Sequence, residues 1–191
     1  KLSCKALFHP GSDIGGPREA YPRYAFFMEN LVKPVVTIIL PARNEAEGLS
    51  RTLPEICRGL PDAEIIVVDD GSTDRTASVA ADAGARVLSA PYGMGNGAAI
   101  KRGARAATGE ILIFMDADGQ HNPADIHLLL AKLDEGFDMA VGARDGSGQA
   151  NVGRGLANAF YNRLASWMTG HRVLDLTSGF RAVRADRFRE F

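Results

Sequence analysis

Cysteine is scarce in this sequence: Cys4 and Cys57 are the two in 191 residues. Their spacing is not that of metal ligands, and they read as free thiols of a reducing compartment, so a cytoplasmic location is expected. Long apolar runs are also missing. The strongest, residues 35–40 and 111–115, are strand-sized, far below the roughly 18 residues of a membrane span. The four histidines, His9, His121, His127 and His171, form no zinc pattern. Net charge is −1, so nothing global points to nucleic acid. Residues 1–27 are rich in Pro and Gly and lack the apolar core of a signal peptide.

What remains is ordinary globular material, 46% hydrophobic and 24% charged. A chain of this length buries about 70% of its unfolded surface, enough for one domain with a real core. The charge is unevenly spread. Residues 144–191 hold eight Arg and no Lys against Asp145, Asp175, Asp186 and Glu190, a balance of +4, which leaves −5 for the first 143. Such a stretch suits a phosphate-bearing partner or an anionic membrane surface, or is simply a solvated face. Met28, just before the first clear strand, is expected as the natural start, and residues 1–27 as a tail of unknown role. Residues 28–191 are expected as a single domain, and since residues 185–191 read as a helix just beginning, a truncated C-terminus is part of that expectation.

Short apolar runs alternate with helical patterns, the signature of βαβ units and a mostly parallel sheet. Strands are expected at 35–40, 64–68, 86–89, 110–115, 137–141 and 179–183. Helices are expected after Asn44, with Glu47 completing a capping-box pattern, and at 73–83, 98–107, after Pro123 and at 155–168. Pro54 is expected to interrupt the first of these. Leu156, Phe160, Leu164 and Trp167 share one helical face, which fits core packing or, beside Arg154, Arg163 and Arg172, a peripheral membrane contact.

Four aspartates follow apolar strands: Asp69, Asp70, Asp116 and Asp118. In a parallel sheet those strand ends share the edge where ligands bind. Asp116 and Asp118, two apart in extended chain, point the same way at roughly 6.5 Å. At an effective dielectric near 20 they repel by about 2.5 kcal/mol. A divalent cation such as Mg²⁺ or Mn²⁺ turns that cost into attraction, and Gln120 adds a neutral oxygen. The plainer reading is that these aspartates make turns and cap helices, above all Asp70 and Asp74 beside Gly71-Ser72-Thr73. His121 is read as a surface residue or a support to the cluster, with metal ligation as the alternative.

These motifs resemble a known family. Residues 36–45, VTIILPARNE, resemble the first strand and loop of family 2 glycosyltransferases of the GT-A fold. Residues 65–74, IIVVDDGSTD, resemble their second motif, and Thr108-Gly109-Glu110 through Asp116-Ala117-Asp118-Gly119-Gln120-His121 their metal-binding strand. Residues 175–181, DLTSGFR, are similar to the dolichyl- or polyprenyl-phosphate sugar synthases, of the dolichol-phosphate mannosyltransferase type. The resemblance implies an α/β GT-A fold and a nucleotide site built from Pro41, Arg43, Glu45, Val67 and Asp69, with Glu45 and Asp69 on the base and ribose. It implies Asp116, Asp118 and Gln120 around the metal, Ala117 touching the nucleotide, and Arg144 near the phosphates. Many relatives have Lys where Asn96 stands here.

The implied reaction moves a sugar from a GDP- or UDP-sugar to an acceptor with inversion at the anomeric carbon. A polyprenyl or dolichyl phosphate acceptor needs no strong base, and Arg181 could hold its phosphate. A glycan hydroxyl acceptor needs a carboxylate base, for which Asp175 is the candidate. Asp175 and Arg181 read equally well as a structural pair. Two other classes stay open. Gly93-x-Gly95-x-x-Ala98 opens a helix after a strand and resembles the dinucleotide fingerprint of an oxidoreductase. A non-catalytic sugar-nucleotide-binding domain is the third.

Overall fold

The computed structural model describes residues 3–6, 35–143 and 178–189. Its elements in chain order are β1 (Ser3–Ala6), β2 (Val36–Ala42), α1 (Ala46–Gly59), β3 (Glu64–Asp69), α2 (Thr76–Asp82), β4 (Arg86–Ser89) and α3 (Asn96–Ala106). Then follow β5 (Ile111–Phe114), a 3-10 turn (Pro123–Asp125), α4 (Ile126–Asp134), β6 (Met139–Ala143), β7 (Arg181–Arg184) and α5 (Ala185–Arg189). The strands form one sheet in the order β1-β6-β7-β5-β2-β3-β4. β2 pairs in parallel with β3 and β5, and β3 with β4. β7 is antiparallel to both β5 and β6, so five strands run one way and the sheet is mostly parallel. Ser3–Ala6, within the segment expected as a tail, lies antiparallel to β6 at the edge.

Near-continuous apolar strands are what a sheet covered on both faces requires. Side chains alternate accordingly. Ile38, Leu40, Ile111, Ile113 and Met115 pack with Leu49, Leu53 and Ile56 of α1 and Leu129 and Leu133 of α4. Ile39, Ile66, Val68, Leu112 and Phe114 face the other way, onto Ala99 and Ala104 of α3 and Ala185 of α5. The small residues of α3 let it sit close. A Cβ on Gly103 would stand 2.5 Å from Ile39 Cγ2 and 3.1 Å from Val68 Cγ2. Pro54 falls on the exposed side of α1, and the helix runs on through it.

At the opposite sheet edge from the strand C-termini, Glu64 ties four strand starts together. Its Oε2 accepts from Thr37 Oγ1 (2.7 Å), Thr108 N (2.8 Å) and Thr108 Oγ1 (2.9 Å). Arg86 lies 3.4 Å from Oε1 and also donates to Ala106 O. Thr37 Oγ1 in turn accepts from Gly109 N, where any side chain would meet the Thr37 backbone. Burial pushes the Glu64 carboxyl upward, but the Thr108 amide, the two threonine hydroxyls and Arg86 outweigh it and bring it below its usual range. Thr108, read as part of a metal-strand motif, thus serves the fold.

The starts of the first three helices differ from expectation, and at the first of them side chains reach across the chain. Asn44 does not cap α1. It has φ 56°, and its Oδ1 accepts from Thr73 N at 2.8 Å. The first turn of α1 is met by Asp74 Oδ2, 3.3 Å from Ala46 N, and Glu47 pairs with Arg51 instead of closing a capping box. Asp74 Oδ1 accepts from Thr76 N at 2.9 Å and from the Thr76 hydroxyl, so α2 starts at Thr76 and not at 73. α3 begins at Asn96, two residues early.

Candidate functional site

The chain runs outward through β2, β3 and β4, then returns to place β5 on the other side of β2. This reversal makes a crevice beyond the C-terminal ends of β2 and β5, the usual ligand position in such sheets. Register brings the candidate residues there. Ala42 is level with Asp69, so Arg43, Asn44 and Glu45 lie just beyond that strand end. Ile39 is level with Phe114, and Phe114 with Arg181. Asp116, two residues past Phe114, falls beside Gly179, two residues before Arg181.

The packing at that point is tight. A Cβ on Gly179 would stand 2.5 Å from Asp116 Cγ, and one on Gly48 would collide with the Ala117 carbonyl and stand 3.1 Å from Asp118 Cα. So the start of α1 presses on the Ala117-Asp118 backbone, while the 178–180 segment presses on Asp116. β5 stops at Phe114, and Asp118 sits in a turn completed by Gly119 at φ 77°, not in extended chain. Asp118 Oδ1 accepts from Gln120 N at 2.9 Å; the Gln120 residue is exposed. Ala117 is buried.

Glu45 shares the field of this cluster. Burial raises its carboxyl above the usual range, and the negative charges of Asp118, Asp74 and Asp116 raise it further. Its amide donates to Thr76 Oγ1 at 2.9 Å. Carboxylates from separate strand-end loops therefore share one field, a repulsion that a divalent cation would relieve. Among the described residues no three His, Cys, Asp or Glu side chains form a ready metal cage.

His121 is buried, not on the surface. Its Nε2 lies 3.4 Å from Asp116 Oδ2, and its ring stacks on Phe180 at 5.0 Å. It backs the acidic cluster from inside. Asp69 is buried, and its Oδ1 accepts from Ser72 N at 2.9 Å. Pro41 is half-buried at the end of β2, and Arg43 is exposed, its guanidinium against the backbone of Gly93. The Val67 side chain packs inward. It is fully buried in the core under α1, because it lies two residues inside β3 from Asp69. Arg181 opens β7 at the crevice edge. Its Nη2 donates to Ser178 O at 2.9 Å, while its Nε is buried with no hydrogen-bond partner. Arg144, Asp175 and the 155–168 helix lie outside the described residues.

The Gly93–Ala98 loop is not a dinucleotide cradle. It follows β4, an edge strand away from the crossover point. The Met94 and Gly95 amides, which a pyrophosphate would need, are already donated to Asp70 at 2.6 and 2.8 Å. A separate cleft of about 320 Å³ between the end of α1 and the 3-10 turn, lined by Glu55, Arg58, Asn122 and His127 among others, includes none of the strand-end aspartates. Among the described residues no helix is long and apolar enough to cross a membrane.

Comparisons with known proteins agree with this geometry. Residues 37–191 match the glycosyl transferase family 2 domain. An uncharacterized glycosyltransferase of Mycobacterium tuberculosis is 43% identical over 109 residues, 57% of this chain and 48% of that protein. The undecaprenyl-phosphate 4-deoxy-4-formamido-L-arabinose transferase of an Enterobacter species is 37% identical over 161 residues, 78% of this chain and 48% of the relative. Among solved structures, glucosyl-3-phosphoglycerate synthase of M. tuberculosis with UDP aligns at TM-score 0.65 and 28% identity, covering 80% of this chain and 57% of that one. The same enzyme has been solved with Mn²⁺, UDP-glucose and phosphoglyceric acid together. The chain spans about half the length of these curated relatives. With its sheet order, its strand-end carboxylates and this match, the chain belongs to glycosyl transferase family 2 and has the GT-A fold.

Proposed function

We propose that this chain is the donor-binding portion of an inverting, metal-dependent glycosyltransferase that moves a sugar from a nucleoside-diphosphate sugar to an acceptor bearing a phosphate. The observation that carries the reading is the packing of the start of α1, which Glu45 opens, against the Ala117-Asp118 backbone at the crossover crevice. Asp116 and Asp118 would hold Mg²⁺ or Mn²⁺, with Gln120 nearby as a neutral oxygen donor. Bound there, the ion neutralises charge on the departing diphosphate. Pro41, Arg43, Glu45 and Asp69 form the wall for base and ribose, and Ala117 lies along the nucleotide. The acceptor oxygen attacks the anomeric carbon from the face opposite the leaving diphosphate, which inverts that centre.

A polyprenyl phosphate is the favoured acceptor, supported by the undecaprenyl-phosphate relative. Its phosphate is already ionised at neutral pH, so no strong base is required. Arg181, with a buried Nε left without a partner at the crevice edge, is the side chain suited to anchor that phosphate. Arg144 is proposed at the diphosphate, and Asp175 as a base only if the acceptor is a hydroxyl. Contact with the membrane face that carries such a lipid belongs to the same reading. Transfer from labelled UDP- and GDP-sugars to undecaprenyl phosphate, to phosphoglycerate and to a glycan hydroxyl tests it directly. Product on undecaprenyl phosphate that disappears with chelator is expected. Turnover undiminished by chelator contradicts the metal role, and product on the glycan alone contradicts the acceptor.

A further inference from the structure

We propose that Asp70 is the positioning residue of the donor site, a latch that sets the place of Arg43 without touching the nucleotide. The inference rests on the donor-site reading of Arg43. Asp70 is buried at the end of β3. Its two oxygens are spent on one loop, Oδ1 accepting from Met94 N at 2.6 Å and Oδ2 from Gly95 N at 2.8 Å. Carboxylate-to-amide bonds of this kind are roughly twice as strong as neutral ones.

Backbone bonds hold the two ends of the loop, from Ala90 N to Asp69 O and from Ala98 N and Ala99 N to Gly95 O. Tyr92 and Met94, which flank Gly93, are 67% and 56% exposed, so their apolar side chains do not anchor it. Its middle is in close backbone contact with Gly71. Gly71, at φ 71°, would place a Cβ 2.6 Å from Tyr92 C and 2.8 Å from Gly93 N. Gly93 would place one 2.5 Å from Arg43 Nη1 and 2.9 Å from Arg43 Cζ. The guanidinium thus rests flush on the Gly93 backbone, and Asp70 holds the chain one and two residues further on, at Met94 and Gly95. A longer or looser loop would let Arg43 swing off the wall that begins at Pro41. The second aspartate of Asp69-Asp70 is therefore neither a metal ligand nor only a turn residue.

The test is nucleotide affinity by calorimetry on the full chain, with UDP and GDP as probes in the presence of Mn²⁺. Wild type, Asp70→Asn, Arg43→Ala and the double variant are compared. Asp70→Asn keeps the size but loses one acceptor, and about tenfold weaker binding is expected, on the scale of one charge-assisted hydrogen bond. In the Arg43→Ala background the same change should add nothing, because both act through one contact. Affinity within twofold of wild type, or full additivity with Arg43→Ala, overturns the latch even if thermal stability falls. Should Asp70→Asn not fold, Gly93→Ala strikes the same contact with Asp70 intact, and unchanged affinity there overturns it as well. If wild type binds neither nucleotide, the donor-site reading itself fails, and this inference with it.

Discussion

Gly179 lies so close to Asp116 that a Cβ built on it would stand 2.5 Å from the carboxylate carbon. The segment next to Arg181 is thus in contact with half of the proposed metal clamp. Gly179→Ala should push Asp116 aside while leaving the core on either face of β5 intact. A displacement of about 1 Å at a reacting centre costs on the order of 10²-fold in rate. Steady-state transfer should show a fall of that order in kcat with a melting temperature close to wild type. Wild-type turnover in Gly179→Ala would mean that this contact does not position Asp116.

Glu45 supplies a pH signature. Burial and the charges of Asp118, Asp74 and Asp116 raise its carboxyl. Between the unfolded and the raised folded value the native state holds more protons than the unfolded one, so this group's contribution to stability falls as pH rises. Glu45→Gln should therefore raise the melting temperature at pH 7 and change it little at pH 4. Adding Mn²⁺ with nucleotide should shrink the gain, because the cation removes the repulsion. A variant less stable than wild type at pH 7 without ligand would contradict the shared field.

Glu64 has the opposite sign. Its lowered carboxyl stabilises the fold above the ordinary unfolded value, and that contribution is lost as pH falls through the folded value. Glu64→Ala leaves the Thr108 amide and the Thr37 hydroxyl without their acceptor, at a cost of about 1–3 kcal/mol near neutral pH. Denaturant unfolding should show that loss shrinking toward pH 3. Nucleotide affinity of the folded variant should stay unchanged, since Glu64 sits at the far edge of the sheet.

α3 offers a packing test. Gly103 faces Ile39 and Val68 with no room for a side chain. Gly103→Val should destabilise by about 1–3 kcal/mol through overpacking. Equal stability by thermal unfolding would show that α3 is free to move off the sheet.

Much of this was legible in the sequence because the relevant signals are local. Apolar runs of strand length gave the sheet, and the aspartates at their ends gave the edge where a ligand sits. What stayed hidden depends on contacts far apart in the chain. Asn44 and Asp74 look like local caps, yet each reaches the other's loop across 28 or 29 residues. Asp70 looks like a turn residue until its partners, 24 and 25 residues on, are known. Val67, which the resemblance implies at the nucleotide, has its side chain in the core, a placement set by the packing of α1 on β3. Gly48 and Gly179 left one usable trace. An isolated glycine in a helical pattern often marks a close backbone approach, and Gly48 meets the Ala117-Asp118 backbone in just that way.

The clamp of Asp116 and Asp118 is the claim on which the rest depends. Calorimetric titration of UDP and of GDP into wild type and Asp118→Ala, each with and without Mn²⁺, tests it most directly. Wild type should bind one of the two at least about tenfold more tightly with Mn²⁺, a coupling near 1.4 kcal/mol. Asp118→Ala should bind it with no dependence on the ion. Wild-type affinity indifferent to Mn²⁺, or the same enhancement kept in Asp118→Ala, would contradict the account.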